Sequence, residues 1–290
     1  MSGCSASTPA THAGVNHPKP PVTYYLALGD SLSQGVEPDA TGASVVTRHG
    51  YADQLYAMLR PHHPGLRLVK LGCPSETTAT MISGGICHYQ GGSQLTAAMR
   101  FLRAHQGKVA LVTIDIGAND PETCLTNPAP VNFASCLGKA VPKATDNLTT
   151  IVTGLRAADP HGRIIAMNYY LPALAQWRNG LLGQAVARTV ALAARWYNNL
   201  LTKIYQSYHV RIANVFDAFD TPNFGGQVAV PGYGTLPANV AAICRWTWAC
   251  AAPPRGPNQH ANQAGYAVIA RTFLLADPAT TRRAPAAAAH

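Results

Sequence analysis

Residues 24–35 read YYLALGDSLSQG, an apolar run that stops on Gly29-Asp30-Ser31 and then turns small and polar. Taken alone, the stretch is an ordinary strand end, because Gly, Asp and Ser are common where a chain turns. The same residues would also suit a nucleophile, with a turn of little bulk leaving a hydroxyl at the end of a strand. Whether Ser31 merely ends a strand or carries chemistry has to be decided by the rest of the chain.

The chain alternates strand-like and helix-like stretches. Apolar, strand-like runs lie at 24–28, 66–71, 109–116, 163–168 and 210–216, with helix-like stretches at 51–59, 94–105, 134–158, 181–208 and 262–276. Continuous apolar strands separated by amphipathic helices predict an α/β fold whose parallel sheet is covered on both faces. The run VALVTIDIG, residues 109–117, reads as the central strand. Residues 218–260 are rich in Gly, Pro and aromatics and read as one long ordered loop. The expectation is a single domain over 22–277, with a disordered tether at 1–21 and a disordered tail at 278–290. Ligands of an open parallel sheet bind at the carboxyl ends of its strands. Ser31, Ser75 and Asn119 each follow a predicted strand, so all three belong on that edge.

Composition narrows the class. The chain has 290 residues, 47% hydrophobic and 12% charged, as expected of a folded protein with a sizeable core. The formal charge is +9, with only 13 acidic residues. The basic residues are scattered rather than clustered between aromatics, which argues against a nucleic-acid partner. The charge is compatible with attraction to an anionic envelope. No apolar run approaches the roughly 18 residues that would span a bilayer.

Of the seven cysteines, six are near neighbours in sequence: Cys73 with Cys87, Cys124 with Cys136, and Cys244 with Cys250. Metal-binding spacings are absent, so no metal is expected. Three short disulfide loops in an exported protein is the better reading, although six cysteines allow about 15 connectivities. Cys4 is left over. MSGCSAS followed by a polar linker resembles the processing site of a bacterial lipoprotein, whose cysteine is lipidated and tethers it to a membrane; an irrelevant free thiol is the alternative. Location is therefore expected outside the cell or in its envelope.

Candidate chemistry follows in chain order. LGCPSETT, after the second strand, offers backbone N–H groups at Ser75, and IGAND, after the third, offers the Asn119 amide. GPNQHANQAGY places His260 just ahead of the last helix. A serine needs a nearby base to act as a nucleophile, and a tetrahedral oxyanion needs two or three fixed donors. The chain has no G-x-S-x-G, no G-x-x-x-x-G-K-[ST] and no G-x-G-x-x-G.

Gly29-Asp30-Ser31, Gly117-Ala118-Asn119-Asp120 and His260 followed by Gly265-Tyr266, in that order, resemble the blocks of the SGNH, or GDSL, hydrolase family. The likeness spans about residues 22–277 and leans toward secreted, disulfide-bearing actinobacterial esterases and lipases. It implies a three-layer α/β/α sandwich with a flavodoxin-like five-stranded sheet. It also implies ester hydrolysis through an acyl-enzyme, without a cofactor, by a monomer acting on a lipid or acylated-sugar ester. By residue it implies Ser31 as nucleophile, His260 as base, and the Ser31 N–H, the Asn119 side chain and the Ser75 N–H as oxyanion donors.

Two positions depart from the family pattern. Ser75 stands where the family usually has Gly, a replacement compatible with function if the turn avoids positive φ. Pro257 stands where it commonly has an Asp three residues before the histidine. The expectation is a Ser–His dyad supported by a backbone carbonyl from Trp246 or Trp248, in the CRWTWAC loop closed by Cys244 and Cys250. Asp217, at the predicted end of the fifth strand, is the carboxylate to test as an alternative. A competing reading is a binding module that kept this scaffold and lost its chemistry.

Overall fold

A computed structural model describes residues 20–122, 124 and 133–277. The chain enters through strand β1 (Thr23–Gly29), the one-turn helix α1 (Ser31–Gln34), a hairpin of β2 (Val36–Pro38) and β3 (Ser44–Val46), and helix α2 (Tyr51–Leu59). Then come β4 (Leu66–Lys70), α3 (Thr78–Ser83), α4 (Gln94–Ala104), β5 (Val109–Asp115) and the short α5 (Asn119–Glu122). The alternation closes with α6 (Phe133–Ala158), β6 (Ile164–Met167), α7 (Gly180–Ser207) and β7 (Arg211–Ala213). The last part holds α8 (Val215–Ala218), a hairpin of β8 (Gln227–Val230) and β9 (Gly234–Pro237), α9 (Ala238–Trp246) and α10 (Gln263–Ala276).

Strands β4, β1, β5, β6 and β7 pair in that order, all parallel, in one five-stranded sheet. The runs that read as continuous apolar strands are buried: Tyr25 to Leu28 in β1, Leu111, Val112 and Ile114 in β5, and all four residues of β6. Helices α2 and α10 pack together on one face, where Tyr51 stacks on Phe273 with ring centroids 4.7 Å apart. Helices α4, α6 and α7 pack in series to cover the other. The result is a three-layer α/β/α domain. Chain order reverses between β1 and β5, and the crevice at such a switch point is where open α/β sheets bind ligands.

Gly29 makes the turn at that crevice possible. Its φ is +127°, and a Cβ there would lie 2.1 Å from the Asp115 carbonyl oxygen. Only glycine lets β1 come this close to β5 and turn directly into Ser31.

Three local expectations need correction. Residues 218–260 are not one loop, since they contain the β8–β9 hairpin and α9. Helix α3 adds an element between the second strand and α4; it is capped by Thr77, whose side chain accepts from the Thr80 N–H. The fifth strand stops at Ala213, because Asn214 then caps α8 by accepting from the Asp217 N–H at 3.2 Å. Cys4, most of the 1–21 tether and the 278–290 tail lie outside the described residues.

Candidate active site

Asp30 caps α1, its carboxylate accepting from the Leu32 N–H at 2.9 Å. Ser31 is thus the first residue of a helix, where its own N–H has no helical carbonyl to bond. The residue is only 9% exposed. Its Oγ lies 2.9 Å from Nε2 of His260, which arrives from the far end of the chain just before α10. Asn262 caps α10 through the Gly265 N–H.

The other ring nitrogen of His260 is held by Asn258. Asn258 Oδ1 is 2.8 Å from Nδ1 and also accepts from the His260 backbone N–H at 3.0 Å. The second contact settles the first: a backbone N–H only donates, so Asn258 must present its oxygen to both groups. Nδ1 therefore carries the proton, and bare Nε2 faces the Ser31 hydroxyl. Burial lowers the His260 pKa to about 4, so the ring is neutral at ordinary pH.

The tryptophan carbonyls do not occupy that place. The Trp248 carbonyl accepts from Ala251 and Asn258, and the Trp246 carbonyl accepts from Asn262. The CRWTWAC loop holds the histidine segment through its main chain instead, with the Trp248 N–H donating to the His260 carbonyl at 3.0 Å. The Trp248 indole is itself anchored on Glu37 at 3.2 Å. Asp217 is exposed on α8 and its carboxylate is taken by Asn214 at 2.6 Å. Sequence reading missed Asn258 because a family pattern directs attention to residue 257, while an asparagine two residues before a histidine has no distinguishing signature.

The donor loops are stitched together below Ser31. Asn119 Nδ2 donates to the Glu76 carbonyl at 2.8 Å, which fixes the amide and leaves its second N–H available. Asp120 binds the same neighbouring loop, accepting from the Thr78 N–H at 3.0 Å. Gln94, fully buried, spans the other side. It accepts from the Gly29 N–H at 2.7 Å and donates both to the Gly29 carbonyl and to the Glu76 carboxylate, each at 2.9 Å. One amide thus ties the turn that carries Ser31 to the loop that carries Ser75. No motif marks Gln94, since its role exists only once three loops meet.

Ser75 does not avoid positive φ. It sits at +66°, with Pro74 before it and the Glu76 N–H donating to the Cys73 carbonyl at 3.1 Å. A proline followed by a left-handed residue inside that bond is the pattern of a type II turn, where glycine is the unstrained choice. Ser75 thus holds a backbone conformation that glycine adopts without strain. Gly72, three residues earlier, is needed for close packing, since a Cβ there would lie 1.8 Å from Ser33 Oγ.

Beneath α1 lies a buried carboxyl pair. Asp115 accepts from the N–H groups of Asp30 and Ser33 and from the Tyr51 hydroxyl. Burial pushes the Asp30 carboxyl up to about 6, while burial and the nearby Asp30 charge push Asp115 well above the usual range. Disulfides join Cys73 to Cys87, Cys124 to Cys136 and Cys244 to Cys250. The first and third brace the Ser75 loop and the Trp246–Trp248 loop. Among the described residues no His, Cys, Asp or Glu cluster could hold a metal ion.

Residues 27–268 match the model of the GDSL-like lipase/acylhydrolase family. Among solved structures, the extracellular lipase of Streptomyces rimosus is 18% identical with a TM-score of 0.58, covering 88% of this chain and 100% of that one. An acetylxylan esterase of Geobacillus stearothermophilus is 16% identical with a TM-score of 0.51, covering 87% of this chain and 93% of that one. At these identities the structures establish a shared fold. No match is found among curated proteins. The family match extends from β1, just ahead of Ser31, into α10, just past His260, and on that basis the chain belongs to the GDSL-like lipase/acylhydrolase family and is a carboxylic ester hydrolase.

Proposed function

We propose that this protein is an exported serine ester hydrolase, working as a monomer through an acyl-enzyme on Ser31, with His260 as base and Asn258 as its orienting residue. The observation that carries the proposal is the chain of contacts Ser31 Oγ to His260 Nε2 at 2.9 Å and His260 Nδ1 to Asn258 Oδ1 at 2.8 Å. Nε2 takes the Ser31 proton as Oγ attacks the ester carbonyl. The Ser31 N–H, the Ser75 N–H and the second Asn119 N–H receive the negative oxygen of the tetrahedral intermediate. His260 then returns the proton to the departing alcohol. Water, deprotonated by the same nitrogen, releases the acid and restores Ser31.

Asn258 differs from a triad carboxylate in carrying no charge. It fixes the tautomer as a carboxylate would, while stabilising the developing imidazolium less. Three disulfides support export, because such bonds persist in oxidising compartments. The domain is taken as 22–277, preceded by a tether whose Cys4 is the candidate lipidation site.

Incubation with a fluorophosphonate and peptide mapping test the reading directly. Labelling confined to Ser31, lost in Ser31→Ala, is the expected result. A folded protein that neither labels nor hydrolyses any of a series of p-nitrophenyl esters would instead be a binding module on this scaffold. The same series, run from short to long acyl chains, sorts esterase from lipase behaviour.

A further inference from the structure

Helix α7 buries Gly183, Ala187, Ala191, Tyr197 and Asn198 along one side. The opposite side is apolar as well, and it is open. Leu181 is 85% exposed, Leu182 79%, Leu192 71%, Trp196 54% and Val186 40%. At 100° per residue, these side chains with Ala185, Thr189 and Ala193 fall within an arc of about 140°, one continuous stripe roughly 22 Å long. A globular protein rarely leaves such a strip in water without a use for it.

Two further observations say what the strip meets. Arg188 and Arg195, both exposed, lie about two helical turns apart along one edge of it, the Arg188 guanidinium resting over the Trp177 and Phe224 rings, 4.9 Å from each centroid. There is no Asp or Glu anywhere from residue 160 to residue 216, so no carboxylate from this segment neutralises that edge. The strip also stands on the catalytic side of the sheet. Tyr197 donates to the Gly117 carbonyl, just past the end of β5, and Asn198 bonds both backbone groups of Tyr169, just past the end of β6. Residues ahead of Tyr197 therefore project beyond the carboxyl edge from which Ser31 and His260 also rise.

We infer that the amino-terminal half of α7 docks on an anionic lipid surface. Leu181, Leu182, Leu192 and Trp196 enter the acyl boundary, and Arg195 lies at the phosphate level, with Arg188, held over Trp177 and Phe224, adding positive charge beside it. An apolar stripe flanked by arginines, with an interfacial tryptophan, has the composition of a helix that lies in the membrane plane. No helix among the described residues is long and apolar enough to cross a membrane. A second copy of the chain is a poorer occupant, because α7 has no acidic residue to answer the arginines of its twin. The inference concerns adsorption alone and does not depend on the chemistry assigned to Ser31.

The test is vesicle sedimentation with the full chain, carried as Ser31→Ala so that lipid is not consumed. Vesicles of phosphatidylcholine mixed with phosphatidylglycerol should bind at least about tenfold more tightly than phosphatidylcholine alone, and added salt should weaken the binding. Leu182→Ser combined with Leu192→Ser should lower it more than about tenfold, and Arg195→Glu severalfold, with melting temperatures and hydrolysis of a soluble ester in the Ser31 background unchanged. Absence of binding by the folded protein would overturn the inference, as would binding that survives both variants. Light scattering that showed a dimer dissociated by the leucine changes would assign the strip to a second copy instead. Failure of fluorophosphonate labelling would leave vesicle binding untouched, so the two readings fail separately.

Discussion

Asn258 Oδ1 accepts from the backbone N–H and from the ring Nδ1–H of the same residue, His260. An amide beside a histidine proposed as base can present either face, and the wrong one would donate to Nδ1 and move the proton to Nε2, where it would face the Ser31 hydroxyl. Here the backbone N–H of His260 excludes that face. The neutral residue thus orients the ring as an aspartate would, without its charge.

Removal of this contact should cost the rate of about one hydrogen bond. Asn258→Ala is expected to lower kcat/KM about 10- to 100-fold. His260→Ala should cost on the order of 10³-fold or more. Asp217→Asn, on an exposed carboxylate bonded only locally, should stay within about threefold of the parent. An Asp217 variant as damaged as His260→Ala, in correctly folded protein, would contradict the role given to Asn258.

The acid limb of the pH–rate profile should lie near pH 4, because burial lowers the His260 pKa to about 4 and no carboxylate among the described residues offsets it. Asn258→Asp would place a carboxylate charge beside the Nδ1–H, favour the imidazolium and raise that pKa by about 1–3. Activity at pH 5 should then fall relative to pH 8. The measurement is kcat/KM on a soluble ester across the acid and neutral range, and an unmoved limb in Asn258→Asp would refute it.

Ser75→Gly should relieve the left-handed backbone at φ +66° without altering the N–H it presents. The expected gain is about 1 kcal/mol, or a rise in melting temperature of about 2 °C, with kcat/KM retained. A loss of stability would show that the Ser75 side chain contributes more than its strained backbone costs.

Gln94→Leu should be the most damaging change away from the reacting atoms. It strands the buried Gly29 N–H and takes one donor from the Glu76 carboxylate and one from the Gly29 carbonyl, which keeps the Cys73 N–H at 3.0 Å. The expected loss is about 3 kcal/mol or more in urea unfolding. A fall in kcat should accompany it under conditions where the protein remains folded, because the turn that carries Ser31 and the Ser75 loop are then joined only through the Cys73 N–H on the Gly29 carbonyl among their direct bonds.

Local chemistry determined much of this protein. Apolar runs of strand length separated by amphipathic stretches read as the parallel sheet and its covering helices, because side-chain periodicity is a property of a few adjacent residues. The small residues around Ser31 and Asn119, the histidine ahead of a capped helix and the near-neighbour cysteines are legible for the same reason. Packing decided the rest. Whether Ser75 takes positive φ depends on the turn from Cys73 to Glu76, and whether Gln94 matters depends on three loops meeting at one buried amide. Trp246, Trp248 and Asn258 are all close enough in sequence to serve His260. The main-chain pairing of 246–248 with 258–262 consumes the tryptophan carbonyls and leaves the asparagine. The exposed side of α7 is apolar in sequence like its buried side, and only the placement of the helix against the sheet shows which of the two faces water. Hydrogen-bond demand and burial are set by partners distant in the chain, so no local reading of residues reaches them.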